Sequence, residues 1–175
     1  MRSPNKSERF ERLVAPHLDA AFNLARWLTR NAQDAEDVTQ EACLRAYMSL
    51  DGYHGNGDRA WLLAIVRNAS YDWLRKHQKY EQTAVFDDEI ANVTDENYNP
   101  EILALRRVDQ QQLREAIEAL PVEFREIPVL REMEEFSYNE IAQLAQIPIG
   151  TVMSRLSRAR KRLRETLDRH QNEET

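Results

Sequence analysis

Residues 147–163 read IPIGTVMSRLSRARKRL, and the reading of that stretch decides the fold. Wound as a helix from Thr151 at about 100° per residue, Val152, Leu156, Ala159 and Leu163 fall within roughly 60° of one another. Arg155, Arg158, Lys161 and Arg162 fall on the other side, over roughly 120°. A narrow apolar stripe with basic residues opposite is what a recognition helix presents to a major groove. A charged face that merely meets water is the plainer alternative, and the charge run alone does not separate the two.

The residues upstream favour the first reading. Residues 137–145 have helical spacing, and Ser137 followed by Glu140 forms a capping box at their start. Pro148 disfavours helix at Ile147 and ends that segment. Gly150 is expected to relieve the turn, and Thr151 to cap the second helix over residues 151–168. Helix, short connection and helix make a helix-turn-helix candidate.

Such a basic helix sits oddly in an acidic chain of 175 residues with formal net charge −6. The charge is unevenly spread. From Glu81 to Glu101 there are seven acids and no lysine or arginine, and without them the net charge is +1. An acidic strip thus divides a nearly neutral N-terminal part from a C-terminal part with a basic end, an asymmetry that points toward nucleic acid.

Composition bounds the rest. Four glycines among many Ala, Leu, Glu, Arg and Gln residues favour an all-α chain. Cys43 is the one cysteine, which excludes a disulfide framework and a cysteine-based zinc site and fits a reducing compartment. The opening residues are polar and charged, without the apolar core of a signal peptide. No apolar run approaches about 18 residues, so direct membrane insertion is not expected. His17, His54, His77 and His170 are dispersed, and no nucleophile, base or metal set converges. No cofactor, metal or small-molecule substrate is expected, nor an enzyme.

The N-terminal half reads as three helices. Residues 7–30 have helical apolar spacing that Pro16 kinks or breaks. Asn31 punctuates the chain, and residues 33–50 open with Asp34, Glu36 and Asp37, as a helix N-terminus prefers. Their apolar side is Val38, Ala42, Ala46 and Leu50. The loop DGYHGNGDR, 51–59, holds three of the four glycines. A third helix, 59–79, carries Trp61, Leu62, Ile65, Val66, Ala69, Trp73 and Leu74 on one side and ends in a basic cluster. Trp61 and Trp73 are therefore expected to pack in the core. Beyond the acidic strip, helices are expected at 101–119 and 121–133, the latter bent by Pro128 in its interior.

FSYNEIAQLAQIPIGTVMSRLSRARKRL, 136–163, resembles the −35-reading domain of bacterial extracytoplasmic-function sigma factors of the sigma-70 family. DAEDVTQEACLRAYMSLDGYHG, 34–55, with WLLAIVRNASYDWLR, 61–75, resembles their −10-reading domain, in the right order. The resemblance implies two small helical domains, 7–80 and 107–170, joined by an acidic flexible linker at 81–106. The linker resembles the segment that threads the polymerase toward the RNA exit path; a plain tether is the alternative. The implied protein is a dissociable subunit that binds core RNA polymerase, places it on promoter DNA at −35 and −10 elements and assists melting. It would act in the cytoplasm, free or held at the inner membrane by an anti-sigma factor.

Carried onto this chain, the resemblance assigns Asp34, Glu36, Asp37, Gln40 and Glu41 to the core polymerase. It assigns Tyr53, His54, Gly55, Asn56 and Asn68 to an unpaired −10 base, and Arg67, Arg75, Lys76 and Lys79 to the backbone. Aromatic, amide and glycine are residue types that stack on, read and closely approach a single strand. Tyr71 is a further stacking candidate. In the second domain, Ser154, Arg155, Ser157 and Arg158 match base or phosphate contacts, Lys161 and Arg162 match phosphate contacts, and the helix N-terminus at Thr151 would receive a phosphate on its amides. Met153 stands where the family often has a basic residue, Gln146 where a glycine commonly ends the first helix, and Pro128 where an apolar residue is usual. A free-standing helix-turn-helix regulator and a helical decoy for a sigma inhibitor are the rival readings.

Overall fold

The computed structural model describes residues 3–55, 57–77 and 110–173. Asn56, Lys79, the acidic segment 81–106 and the expected helical residues 101–109 lie outside them. Every element among the described residues is helical, and the helices form two compact units.

The first unit is built from α1 (Lys6–Val14), α2 (Leu18–Thr29), α3 (Ala32–Ser49) and α4 (Asp58–Lys76). α1 opens on a capping box that the sequence reading did not identify. The Asn5 side chain accepts from the Glu8 amide at 2.8 Å, and Glu8 accepts from the Asn5 amide at 3.1 Å. Pro16 breaks the run as expected. It lacks an N–H, and the chain tightens into a 3₁₀ turn, Ala15–His17, before α2 starts. α2 ends on Arg30 in the left-handed region, φ 61°. Asn31 then caps α3 by accepting from the Asp34 amide at 3.0 Å.

α2, α3 and α4 pack against one another pairwise. Ala21, Ala25, Ala35, Ala42 and Ala46 have no exposed surface, and so let the helix axes approach around Leu24, Leu28, Leu62, Leu63 and Val66. Between α3 and α4 the chain makes a 3₁₀ turn, Leu50–Gly52, and the loop that leads to Gly57. Gly57 precedes α4 with φ 97°, a conformation that an L side chain rarely adopts.

The second unit holds α5 (Gln110–Glu118), α6 (Val122–Pro128), the first part of α7 (Tyr138–Ala145) and α8 (Ile149–Glu173). α5 and α6 both pack on α8. Arg125 is buried, yet its Nη1 donates to the carbonyls of Leu120, at 2.6 Å, and Glu118, at 3.3 Å. It thereby satisfies acceptors that the end of α5 leaves open. Pro128 does more than bend a helix. α6 ends there, and Val129–Met133 continue as a π turn closed by the Glu134 amide on Val129 O at 3.1 Å. A wider turn absorbs the bond that proline cannot make.

α7 begins as the sequence predicts. The Glu140 amide donates to Ser137 Oγ at 3.1 Å, and the Ser137 amide to Glu140 Oε2 at 2.7 Å. It ends at Ala145, as expected, with a non-glycine residue in the position that glycine commonly takes. Gln146, with φ 55°, takes the left-handed position. Its amide bonds Gln143 O, and the Ile147 amide bonds Ala142 O, the paired bonds of a Schellman motif. Gly150 relieves nothing. It lies in the first turn of α8, which starts at Ile149 rather than Thr151.

Candidate nucleic-acid and polymerase interfaces

α8 buries the stripe that the sequence predicts. Val152, Leu156, Ala159 and Leu163 are at most 4% exposed, and Leu167 extends the row. Ser157 and Lys161 are exposed, while Ser154, Arg155, Arg158 and Arg162 are half-buried. Arg160, which was not among the expected contacts, reaches sideways to Glu132 at 2.7 Å. The Arg162 guanidinium lies 5.1 Å from the ring centre of Phe124, so its stem covers the core while its charge stays at the rim.

Thr151 is corrected. It lies inside α8, and its amide donates to Pro148 O at 3.0 Å, so Thr151 neither caps the helix nor offers that amide to a phosphate. The open amides at this end belong to Ile149 and Gly150, because Pro148 supplies the first helical acceptor.

A second surface centres on Tyr53. Its ring stacks on Trp61, with centroids 4.4 Å apart and planes 20° apart. Its hydroxyl donates to Asp58 Oδ1 at 2.8 Å. Burial, and then Asp58, pushes the phenol up to about 12. His54 and Gly55 follow, both exposed.

Along α4, Trp61, Asn68 and Arg75 recur every seven residues and so lie on nearly one line, about 20° apart per step. Asn68, Arg75 and Lys76 are exposed. Arg75 pairs with Asp72 at 3.1 Å, and Arg67 covers the face of Tyr71 at 4.3 Å.

The aromatic assignments exchange places. Trp61 and Trp73 are half-exposed, on Tyr53 and His77 respectively, and not core residues. Tyr71, the stacking candidate, is buried at 4%. The buried face of α4 is centred on Leu62, Leu63, Val66, Ser70 and Leu74, which leaves Trp61, Ile65 and Trp73 on its flank. Trp61 is the residue of this surface that the sequence reading set aside.

The third surface is on α3. Glu36, Asp37, Gln40 and Glu41 are exposed, and Asp34 is half-buried in the first turn. Glu41 pairs with Arg45 at 3.0 Å. Glu36 and Gln40 rim a cleft of about 800 Å³ whose floor includes Phe10, Leu18, Phe22, Cys43, Leu44 and Tyr47. Leu44 is 61% exposed and Met48 79%. The sequence carried the signal, because Leu44, Tyr47 and Met48 fall off the buried stripe of Val38, Ala42 and Ala46. Burial raises the Cys43 thiol, keeping it protonated. Among the described residues no group of metal-ligating side chains converges, and no helix is long and apolar enough to cross a membrane.

Comparison with known proteins follows this division. Residues 13–80 match Sigma-70 region 2, and residues 110–163 match Sigma-70 region 4. The sigma factor SigE of Mycolicibacterium smegmatis, an extracytoplasmic-function RNA polymerase sigma factor, is 35% identical over 94% of this chain. The chain spans 63% of that protein's length. The RNA polymerase sigma-H factor of Pseudomonas aeruginosa is 30% identical over 90% of this chain and 86% of its own. Among solved structures, the sigma factor RpoE of Bartonella quintana, crystallised with the anti-sigma factor NepR, aligns with a TM-score of 0.69 at 28% identity. That alignment covers 91% of this chain and 97% of RpoE. With both regions present in order, and relatives matched over most of their length, the chain belongs to the sigma-70 family of RNA polymerase sigma factors, in its extracytoplasmic-function group.

Proposed function

We propose that this sigma factor binds core RNA polymerase through α3, holds the unpaired −10 strand between the Tyr53–Gly55 loop and α4, and reads the −35 element with α8. The observation that carries the reading is the division of α8 into a buried stripe and a basic face, in a chain that also carries the −10-type region. A free-standing regulator needs the first but not the second. A decoy needs neither Asn68 nor the arginine face.

On α3, the acids at the rim suit a basic partner, and the apolar cleft beside them suits aliphatic or aromatic side chains. Charge steers the encounter, and the buried apolar contacts hold it. At −10, Asn68 offers an amide to an unpaired base edge, and the Tyr53–Trp61 pair offers a rigid aromatic edge beside it. At −35, Arg155 and Arg158 have the reach and donors for base edges, while Lys161 and Arg162 engage phosphates. The N-terminal amides that face a phosphate are those of Ile149 and Gly150.

The chain acts as a specificity subunit without a catalytic centre of its own. It works in the cytoplasm and is held inactive by an anti-sigma factor, as the complex of its relative RpoE with NepR illustrates. Affinity purification of the tagged full chain from its own cells tests both partners. Recovery of core polymerase together with one further stoichiometric protein is expected. Recovery of neither would sink the reading, and recovery of polymerase without a second partner would remove the anti-sigma part.

A further inference from the structure

The Tyr53 loop rests on α1 as well as on α4. The Arg9 guanidinium donates to the Tyr53 carbonyl. Arg12 lies three residues further along α1, on the neighbouring part of the same face. Together with Pro4 and Leu13, these arginines form one wall of a notch whose other wall is Tyr53, His54 and Gly55. Its volume is about 480 Å³, and no acid lines it.

The acids of the adjoining loop are already engaged. Asp51 accepts from Lys6 Nζ at 2.8 Å, and Asp58 accepts from the Tyr53 hydroxyl at 2.8 Å. Arg9 gives a donor to a neutral carbonyl and forms no salt bridge among the described residues, although Asp51, held by Lys6, also feels its charge. Arg12 is exposed and makes no ion pair among the described residues. Two guanidinium groups, an exposed histidine and glycine backbone thus converge on one concave space. That donor set is suited to a phosphodiester, which a guanidinium grips with paired N–H donors.

We propose that this notch holds a backbone phosphate of the unpaired −10 strand, next to the nucleotide that the Tyr53–Gly55 loop contacts. The inference rests on the −10 reading above and extends that site to α1. A nucleotide turned out of its stack carries its own phosphates with it, so a strand held by a loop is held better when the flanking phosphate is clamped. Arg9 ties the two events together, because the group that fixes the loop carbonyl also faces the phosphate. The contact is blind to base identity.

The test uses holoenzyme assembled from core polymerase and the full chain, with a fork-junction DNA that carries a single-stranded −10 tail. Arg12→Ala should weaken tail binding about tenfold, the loss of one charge-assisted contact. The loss should be equal for every tail sequence, and the salt slope should flatten by about 0.7, as for one phosphate on a single strand. Arg12→Lys should restore most of the affinity. Methylphosphonates walked along the tail give a reading with the unaltered protein. One position should cost about tenfold with wild type and nothing further with Arg12→Ala.

Wild-type affinity and salt slope for Arg12→Ala, with Asn68→Ala still losing −10 discrimination, would overturn the notch and leave the −10 reading intact. Indifference to both substitutions would overturn the −10 reading as well. An equal loss on duplex DNA carrying only the −35 element would also overturn the notch, since the unpaired strand would then not be what Arg12 holds.

Discussion

The Tyr53 hydroxyl and the Asp58 carboxylate, 2.8 Å apart, join the Tyr53–Gly55 loop to the first turn of α4. The bond crosses the left-handed Gly57, and the stacked Trp61 ring sits one turn beyond it. Loop and helix are therefore held in one register before any strand arrives, and such pre-organisation lowers the ordering that binding must pay for.

This bond has a titration signature. Burial and Asp58 raise the Tyr53 phenol from its ordinary 10.0 to about 12. A group whose folded value is raised contributes its stability fully below the unfolded value, near pH 10, and loses it as pH rises through about 12. Tyrosine-labelled NMR should show a ring titrating near 12 that is absent in Tyr53→Phe and moved toward 10 in Asp58→Ala. A Tyr53 ring, assigned by its loss in Tyr53→Phe, that titrates near 10 would contradict the geometry.

At the −35 helix, two substitutions should separate base reading from charge. Arg158→Ala should cost about 1–3 kcal/mol on the cognate element and relax preference at one position, as loss of a bidentate base contact does. Lys161→Ala should weaken all duplexes alike and reduce the salt slope by about 1. Fluorescence anisotropy over a salt series distinguishes these outcomes, and equal binding by all three proteins would mark the face as merely solvated.

Much of this helix was legible in the sequence. The buried stripe follows from the 3.6-residue period, and the Ser137–Glu140 box and the Pro16 break follow from local chemistry. What the sequence did not convey depends on partners far along the chain. Trp61 and Tyr71 exchange burial because a modest rotation of α4, set by α2 and α3, decides which flank meets solvent. Arg160 is tied down by Glu132, and Arg125 by carbonyls of the α5–α6 turn. The start of α8 was misplaced by two residues because Pro148, read as a stop, also supplies the first acceptor of the next helix. Arg30, Glu135 and Gln146 adopt positive φ without being glycine, which no single-residue preference announces.

That last feature is itself testable. An L residue in the left-handed region is strained relative to glycine, and Gln146 is exposed with φ 55°. Gln146→Gly should stabilise the folded chain by about 1 kcal/mol. Chemical denaturation followed by circular dichroism reads the change, and an unchanged or lower midpoint would show that the Gln146 side chain contributes more than its backbone costs.

On α3, the apolar and acidic parts of the surface should act differently. Leu44→Ser alters a side chain that is 61% exposed, so the fold should be untouched while core polymerase dissociates faster. Asp37→Lys should chiefly slow association, with an effect that fades in high salt. Surface plasmon resonance on immobilised core polymerase gives both rates, and unchanged rates for both variants would move the polymerase contact elsewhere on the chain.

The central claim is that one chain supplies two promoter grips to the polymerase. Run-off transcription on genomic promoter fragments, with purified core polymerase and this protein, tests it most directly. The account predicts discrete transcripts that require the chain and are lost with Asn68→Ala together with Arg158→Ala. Core polymerase that starts no transcript on any promoter of the genome when the chain is added would contradict it.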